Sequence, residues 1–259
     1  MKIELFKLGS ISIPGYGFMI GIGFIIALFV GEFRAKRKGL KDEAVIDIAV
    51  IAAIMGFIGA KILFIIVDFK AFIQDPLHFL GSSGFVIYGG IISGILCNML
   101  YCKVKKLDFL TYFDLIMPEI SIAQGFGRIG CFLAGCCYGK ETDSVFSVVF
   151  PPGGQAPSGV ALIPVQIYSA IGNFIIAAIL IVFADVILKK SKKSLPGDIA
   201  SMYMVLYGIG RFVIEFFRND YRGAIGFLST SQFISIFIVA IGIALYVVKH
   251  RRAAKTITY

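Results

Sequence analysis

Gln124, Arg128 and Cys131 recur at i, i+4 and i+7, which puts them on one face of a helix. Gly125, Gly127 and Gly130 stand among them and would let another backbone or a ligand come close. Further along, Tyr207, Arg211, Glu215 and Arg218 share a second helical face. Two guanidiniums from different helices suit a phosphate, because each planar fork can donate two parallel hydrogen bonds to it. A plainer reading pairs Arg211 with Glu215 at i, i+4, and that leaves Arg128 without a sequence-local acid. Lys61, Asp114 and Glu119 are further ionisable candidates inside apolar runs, where charge is costly and marks candidates for function. Asp114 precedes Pro118 by four residues; proline frees a backbone carbonyl and bends a helix, so Asp114 reads first as a structural hydrogen-bonding group.

Five cysteines are present. Cys97 and Cys102 read as small packing residues near one end of an apolar run. Cys131, Cys136 and Cys137 form a C-x4-C-C cluster for which several chemistries stay open. They could pack, form a disulfide on an oxidising face, or supply a thiolate favoured by the cation of Arg128. The spacing is unusual for zinc, and His78 and His250 are the only histidines, so no metal is expected.

The elements that must hold these residues are membrane helices. Of 259 residues, 58% are hydrophobic and 16% charged, with 29 glycines and a mean hydropathy of +0.88. Soluble domains carry roughly 45–50% apolar and about 25% charged residues, so a soluble enzyme, a disordered chain and a collagen-like fibre are excluded. The net charge of +9 sits in short blocks between apolar runs, a topological pattern that does not point to nucleic acid. Seven stretches are long enough to cross a bilayer core as helices: residues 12–33, 44–67, 84–102, 109–133, 164–188, 199–217 and 229–248. Sixteen of the 25 Lys and Arg residues fall on one set of connections, including Arg34, Lys103, Lys189, Lys190, Lys192, Lys193 and Arg251. Lys2, Lys7, Lys70, Lys140, Arg218 and Arg222 fall on the other. The positive-inside rule then places the C-terminus in the cytoplasm and the N-terminus outside. No basic n-region or cleavage site opens the chain, so no cleaved signal peptide is expected, and residues 1–259 read as one polytopic domain.

The connection at residues 138–163, between the fourth and fifth helices, holds Pro151, Pro152, Gly153, Gly154 and Pro157 and predicts an irregular outer loop. It is either an ordered cap or a bland surface loop, and residues 145–150 alternate enough for a short hairpin. The pairs Gly17–Gly21, Gly56–Ala60, Gly90–Gly94 and Gly135–Gly139 have small-xxx-small spacing, read here as contacts within the chain.

With these motifs in order, the chain resembles the bacterial prolipoprotein diacylglyceryl transferases along nearly its whole length. The run from Gly127-Arg128-Ile129-Gly130-x-Phe132 to Gly139 looks like the family's Gly-Arg-x-Gly-Asn-Phe signature. Supporting matches are Gly15-Tyr16-Gly17-Phe18-Met19, Gly84 to Gly90, Asp114 to Pro118, Pro164-Val-Gln166-Ile-Tyr168 and Tyr207 to Arg218. The resemblance implies a seven-helix enzyme of the bacterial inner (plasma) membrane with no cofactor. The implied reaction moves a diacylglyceryl group from phosphatidylglycerol to the lipobox cysteine in the signal-peptide region of a preprolipoprotein, releasing glycerol phosphate. Arg128 and Arg211 match essential arginines, and Tyr16, Gly139 and Glu215 match other motif positions. Gln124, Gln166 and Arg218 join them as candidates for substrate binding.

The sequence also departs from the pattern. Tyr88 replaces the histidine before Gly-Gly, Ile163 the histidine before Pro-x-Gln, Cys131 the signature asparagine and Cys136 its later acidic residue. Tyr88, Cys131 and Cys136 are therefore candidates for the proton and thiol chemistry beside the two arginines. Tyrosine, with an ordinary pKa of about 10, is a poorer base than histidine. A second reading keeps the phospholipid site but uses Cys131 or Cys136 with another acceptor. A third, a seven-helix receptor or transporter, lacks a lysine in its last span for a retinal Schiff base and lacks internal repeats.

Overall fold

The structure is a computed structural model that describes residues 4–8, 11–82, 84–187, 195–220 and 223–257. Lys2, Lys189, Lys190, Lys192, Lys193 and Arg222, which enter the charge argument, lie outside the described residues. The elements in order are strands β1 (Glu4–Leu8) and β2 (Ile11–Pro14), then helices α1 (Gly15–Arg37), α2 (Glu43–Val67), α3 (Phe69–Gln74), α4 (Pro76–Gly81), α5 (Ile87–Val104) and α6 (Phe109–Ala134). Strands β3 (Val148–Val149) and β4 (Ala161–Leu162) follow, then α7 (Val165–Val182) continued by a π-helical turn (Phe183–Ile187), and α8 (Asp198–Glu215). Strands β5 (Ala224–Ile225) and β6 (Leu228–Ser229) lead into α9 (Thr230–Ile257). The three strand pairs are antiparallel two-stranded ladders.

Five of these helices, α1, α2, α5, α7 and α9, are long and apolar enough to cross a membrane. Their outward faces carry Phe29, Phe57 and Ile66, each more than 60% exposed, as expected of surfaces made for lipid. The other two long helices, α6 and α8, are not among them; Asp114, Glu119 and Arg128 lie on α6, and Arg211 and Glu215 on α8.

The chain divides into two compact units, Gly31–Tyr112 and Met1–Val30 with Phe113–Tyr259. In the first, α2 and α5 pack through glycines. A Cβ on Gly59 would collide with Ser93 Oγ and lie 2.6 Å from the Gly89 carbonyl oxygen, and one on Gly89 would collide with the Gly59 carbonyl oxygen. Gly90 approaches the Gly56 carbonyl in the same seam, and Ser93 Oγ donates to the Met55 carbonyl at 2.6 Å. Two of the four small-xxx-small pairs thus serve helix contact inside the chain. Gly21, by contrast, meets nothing within 4 Å. Gly59→Ala is expected to cost ~1–3 kcal/mol by overpacking this seam. Gly56→Ala, whose Cβ would meet only the Gly90 carbonyl at 3.8 Å, should be tolerated. Melting the two variants side by side in detergent checks the contrast.

Lys61, a candidate for function by its place in an apolar run, tethers α2 to the segment before α5. Its ammonium donates to the Ser82 carbonyl at 2.8 Å and lies over the rings of Phe64 and Phe85. That tether, with Val86 N donating to the Ala60 carbonyl at 3.0 Å, keeps residues 84–86 extended, so α5 begins at Ile87 and not at Gly84.

In the second unit, α6, α7 and α8 share a core of Met117, Leu180, Ala184, Ile199, Ala200 and Tyr203. Ser121 Oγ donates to the Asn173 carbonyl at 2.8 Å, and Phe126 meets Phe174 edge-on at 5.3 Å. Pro118 is buried within α6 without ending it. The Asp114 carboxylate accepts from the backbone N–H of Gly197 at 2.7 Å and of Ala200 at 2.8 Å. It is a structural group, as expected, but for a helix other than its own. Gly197 caps α8 with φ of 107° and has no side chain to offer the free N–H groups of the first turn, so Asp114 supplies the acceptor from α6.

Residues 135–164 form an ordered cap with a small core of Phe150, Ala156 and Leu162, against which Phe132 and Tyr138 pack. The expected hairpin exists, but Val148–Val149 pairs with Ala161–Leu162 across the cap and not within residues 145–150.

Candidate active site

Arg128 on α6 and Arg211 on α8 line one cleft, together with Tyr168, Ser169 and Asn173 of α7 and Tyr207 of α8. Its volume of about 80 Å³ holds several water molecules, hence a phosphate-sized group. Asn173 is buried, and its Oδ1 has no hydrogen-bond partner among the described groups. The backbone facts behind the cleft are local. Gly125 lets the Phe174 ring sit where a side chain would stand, 2.6 Å from an added Cβ, and Gly210 leaves open space beside Arg211.

The two arginines differ in how they are held. Arg211 Nη1 lies 2.6 Å from Glu215 Oε2, the i, i+4 pair the spacing allowed, with side chains only 12% and 6% exposed. Its Nη2 donates to Ser231 Oγ at 2.7 Å. Among the described residues, no carboxylate pairs with Arg128. One cation is therefore braced in place, and the other remains available to an anion.

Arg218 lies beyond the end of α8 and forms a bidentate pair with Asp220, Nε to Oδ1 at 2.9 Å and Nη2 to Oδ2 at 2.6 Å. Glu215 Oε2 is 3.8 Å from its Nε. Burial works against its charge, but Asp220 and Cys137 hold the guanidinium above its usual value. Its backbone bridges Gly139, and Lys140 N donates to the Phe217 carbonyl at 2.9 Å, so Arg218 ties the cap to α8. Gly139 itself is a point of close backbone approach. An added Cβ would lie 2.5 Å from the Ile163 carbonyl oxygen and 2.9 Å from that of Phe217.

Gln166, at the start of α7, is 1% exposed and donates Nε2 to the Cys136 carbonyl at 2.8 Å, while its Oε1 has no partner among the described groups. Gln124 Oε1 accepts from the Tyr203 hydroxyl at 3.0 Å, and Tyr203 stacks on Tyr207 at 5.5 Å. Tyr16, at the start of α1, packs on Gly130, whose Cβ would lie 3.1 Å from the Tyr16 carbonyl oxygen and 3.2 Å from its ring. It is within electrostatic reach of Arg128 and of Cys131, Cys136 and Cys137.

None of those three cysteines is in a disulfide. Hydrogen bonding to Cys131 and Cys137, then burial, pushes the Cys136 thiol up, so it is protonated at neutral pH. Tyr88 lies in the other compact unit, in the first turn of α5, and is 41% exposed. The second unit thus gathers Tyr16, Gln124, Arg128, Cys131, Cys136, Gly139, Gln166, Arg211, Glu215 and Arg218. Tyr168 closes the Pro164-Val-Gln166-Ile-Tyr168 motif, whereas Ser231, Asp220 and Asn173 belong to none of the motifs. Of these, Asn173 carries a signal in the sequence, as a polar residue seven positions, two helical turns, after Gln166 on a largely apolar helix.

Residues 3–248 match the family described as "Prolipoprotein diacylglyceryl transferase". A protein of Clostridium tetani named phosphatidylglycerol–prolipoprotein diacylglyceryl transferase is 46% identical over 248 residues, 95% of this chain and 97% of that protein. A second transferase of that name from Clostridium perfringens is 44% identical over 258 residues, 98% of each chain. A Finegoldia magna protein of the same name is 32% identical over 254 residues, 97% of each. With its paired arginines converging on one phosphate-sized cleft, this multi-pass membrane chain belongs to the prolipoprotein diacylglyceryl transferase family.

Proposed function

We propose that the protein transfers a diacylglyceryl group from phosphatidylglycerol to the lipobox cysteine of a preprolipoprotein. The observation that carries this reading is the cleft in which Arg211 is braced by Glu215 and Ser231 while Arg128 is left for an anion. The acceptor sulfur attacks the glyceryl carbon that bears the phosphate ester. A carbon–sulfur bond forms as the carbon–oxygen bond breaks, and the bonding pair leaves on the oxygen of glycerol phosphate. Charge grows on that phosphate in the transition state, where fixed guanidiniums in a water-poor site stabilise it most. Holding the donor's phosphate also orients its carbon toward the acceptor and lowers the entropic cost of meeting it.

The acceptor thiol must lose its proton. We assign that step to Tyr88, at the family's histidine position, which accepts the proton as its phenolate; Cys131 and Cys136 remain candidates for the thiol side of the reaction. Tyr16, Gln124, Gly139, Gln166 and Arg218 shape and close the binding site. We further infer that α6 and α8 also cross the bilayer, making seven spans with the N-terminus outside and the C-terminus in the cytoplasm. The whole chain then works as one polytopic domain in the bacterial plasma membrane, with the cap of residues 135–164 over the outer face. The acceptor is taken at its signal-peptide region.

Membranes containing the protein, incubated with labelled phosphatidylglycerol and a lipobox peptide, test the reaction. The peptide is expected to gain the mass of a diacylglyceryl group as an equal amount of glycerol phosphate appears. A folded protein that binds the lipid and leaves the peptide unchanged would overturn the assignment of acceptor.

A further inference from the structure

We propose that the sulfurs of Cys131, Cys136 and Cys137 form a binding site for a soft divalent cation of the zinc class. The C-x4-C-C spacing by itself argued against one, because it resembles no common zinc pattern. The fold changes that argument. The three sulfurs lie within 4.8 Å of one another. Tetrahedral zinc with metal–sulfur bonds near 2.3 Å holds its sulfurs about 3.8 Å apart, so the cluster needs to close by less than an ångström or so.

The backbone is bent to make this meeting possible. Cys131 sits in the last turn of α6, and Gly135 ends that helix in the left-handed region with φ of 66°. Cys136 N donates back to the Cys131 carbonyl at 3.1 Å. Cys137 then takes φ of 61°, a conformation that costs a residue with a side chain ~1–2 kcal/mol. Strain of this kind gathers at ligand clamps and active sites.

Neighbouring groups suit a charged cluster. Gln166 holds the Cys136 carbonyl, which fixes the loop in the way that outer-shell partners orient metal ligands. Three thiolates around a divalent cation carry one net negative charge, and the guanidinium of Arg218, already shared with Asp220, reaches the Cys137 sulfur. Loading forms three metal–sulfur bonds and releases three thiol protons to solvent, with no change in oxidation state. Three sulfurs leave the fourth tetrahedral position for water or another ligand. This site stands on the cluster alone and does not depend on the transferase reading.

The test uses the full-length protein in detergent, reduced, stripped with a chelator and titrated with cobalt(II), then zinc(II). The wild type is expected to take up one cobalt per chain with a thiolate-to-metal charge-transfer band that zinc abolishes. Zinc should also slow alkylation of Cys131, Cys136 and Cys137 by at least ~tenfold, since a coordinated sulfur is withdrawn from reaction, while Cys97 reacts unchanged. The band should survive Cys97→Ser/Cys102→Ser and vanish in Cys136→Ser. No band from monodisperse wild-type protein would overturn the site, as would a band that persists in Cys136→Ser. A pair among the three that stays oxidised in the presence of reductant would overturn it as well. The alkylation map needs no variant, so a Cys136→Ser protein that fails to fold leaves the proposal open to refutation.

Discussion

Replacing Arg128 by alanine is expected to slow diacylglyceryl transfer by about 10²–10³-fold while the protein remains folded, the scale on which a single donor aimed at developing charge contributes. Its side chain is paired with no carboxylate among the described residues, so its removal strands no buried acid. Arg211→Ala differs in kind, because it leaves Glu215 buried beside Arg218 without its nearer partner. Its loss of activity should therefore come with a lower melting temperature, whereas Arg128→Ala should melt as the wild type does. Arg128→Lys should recover only part of the rate, since an ammonium keeps the charge but lacks the planar fork. Initial rates with the lipobox peptide, read beside melting curves of the same preparations, check all three outcomes. An Arg128→Ala enzyme with wild-type rates would remove the arginine cleft from the reaction.

Asp114→Ala should destabilise the protein most among changes far from the cleft. The carboxylate satisfies two backbone N–H groups at the start of α8, and each buried donor left without an acceptor costs ~1–3 kcal/mol. Asp114→Asn keeps one acceptor oxygen but turns an NH₂ toward the second donor, so it should recover less than half of the loss. The damage should reach the active site, because Arg211, Glu215 and Tyr207 all ride on α8. The expected result is a lower melting temperature with faster proteolysis of the 195–200 segment, and a fall in transfer that lipid concentration does not restore. If Asp114→Ala melts as the wild type does, the cross-helix cap contributes nothing.

Much of this was legible in the residues. The apolar runs located the long helices to within about four residues, except that α9 continues past its run through a basic segment to Ile257, since a helix crossing a bilayer core needs about 20 apolar residues but can extend beyond it. Residues 109–133 and 199–217 are helices α6 and α8 as expected. Yet neither is among the five that are long and apolar enough to cross a membrane; Asp114, Glu119 and Arg128 lie on α6, and Arg211 and Glu215 on α8. The i, i+4 spacing likewise foretold the Arg211–Glu215 pair, since helical geometry alone brings such residues together.

Partners distant in the chain were another matter. Asp114 reads by its neighbours as a companion of Pro118, yet its carboxylate serves residues 83 and 86 positions away. Ser231 braces Arg211 from the following helix, and the sulfurs of Cys131, Cys136 and Cys137 meet because Gly135 and Cys137 turn the backbone left-handed. The sequence by itself determined the helices, the faces they present and the pairs within one turn, because these follow from a rise of 1.5 Å and 3.6 residues per turn. Only the tertiary structure decided which arginine is braced and which is left for an anion, which donors Asp114 caps and whether three cysteines converge. Those outcomes depend on how separate helices pack, and no local spacing encodes that packing.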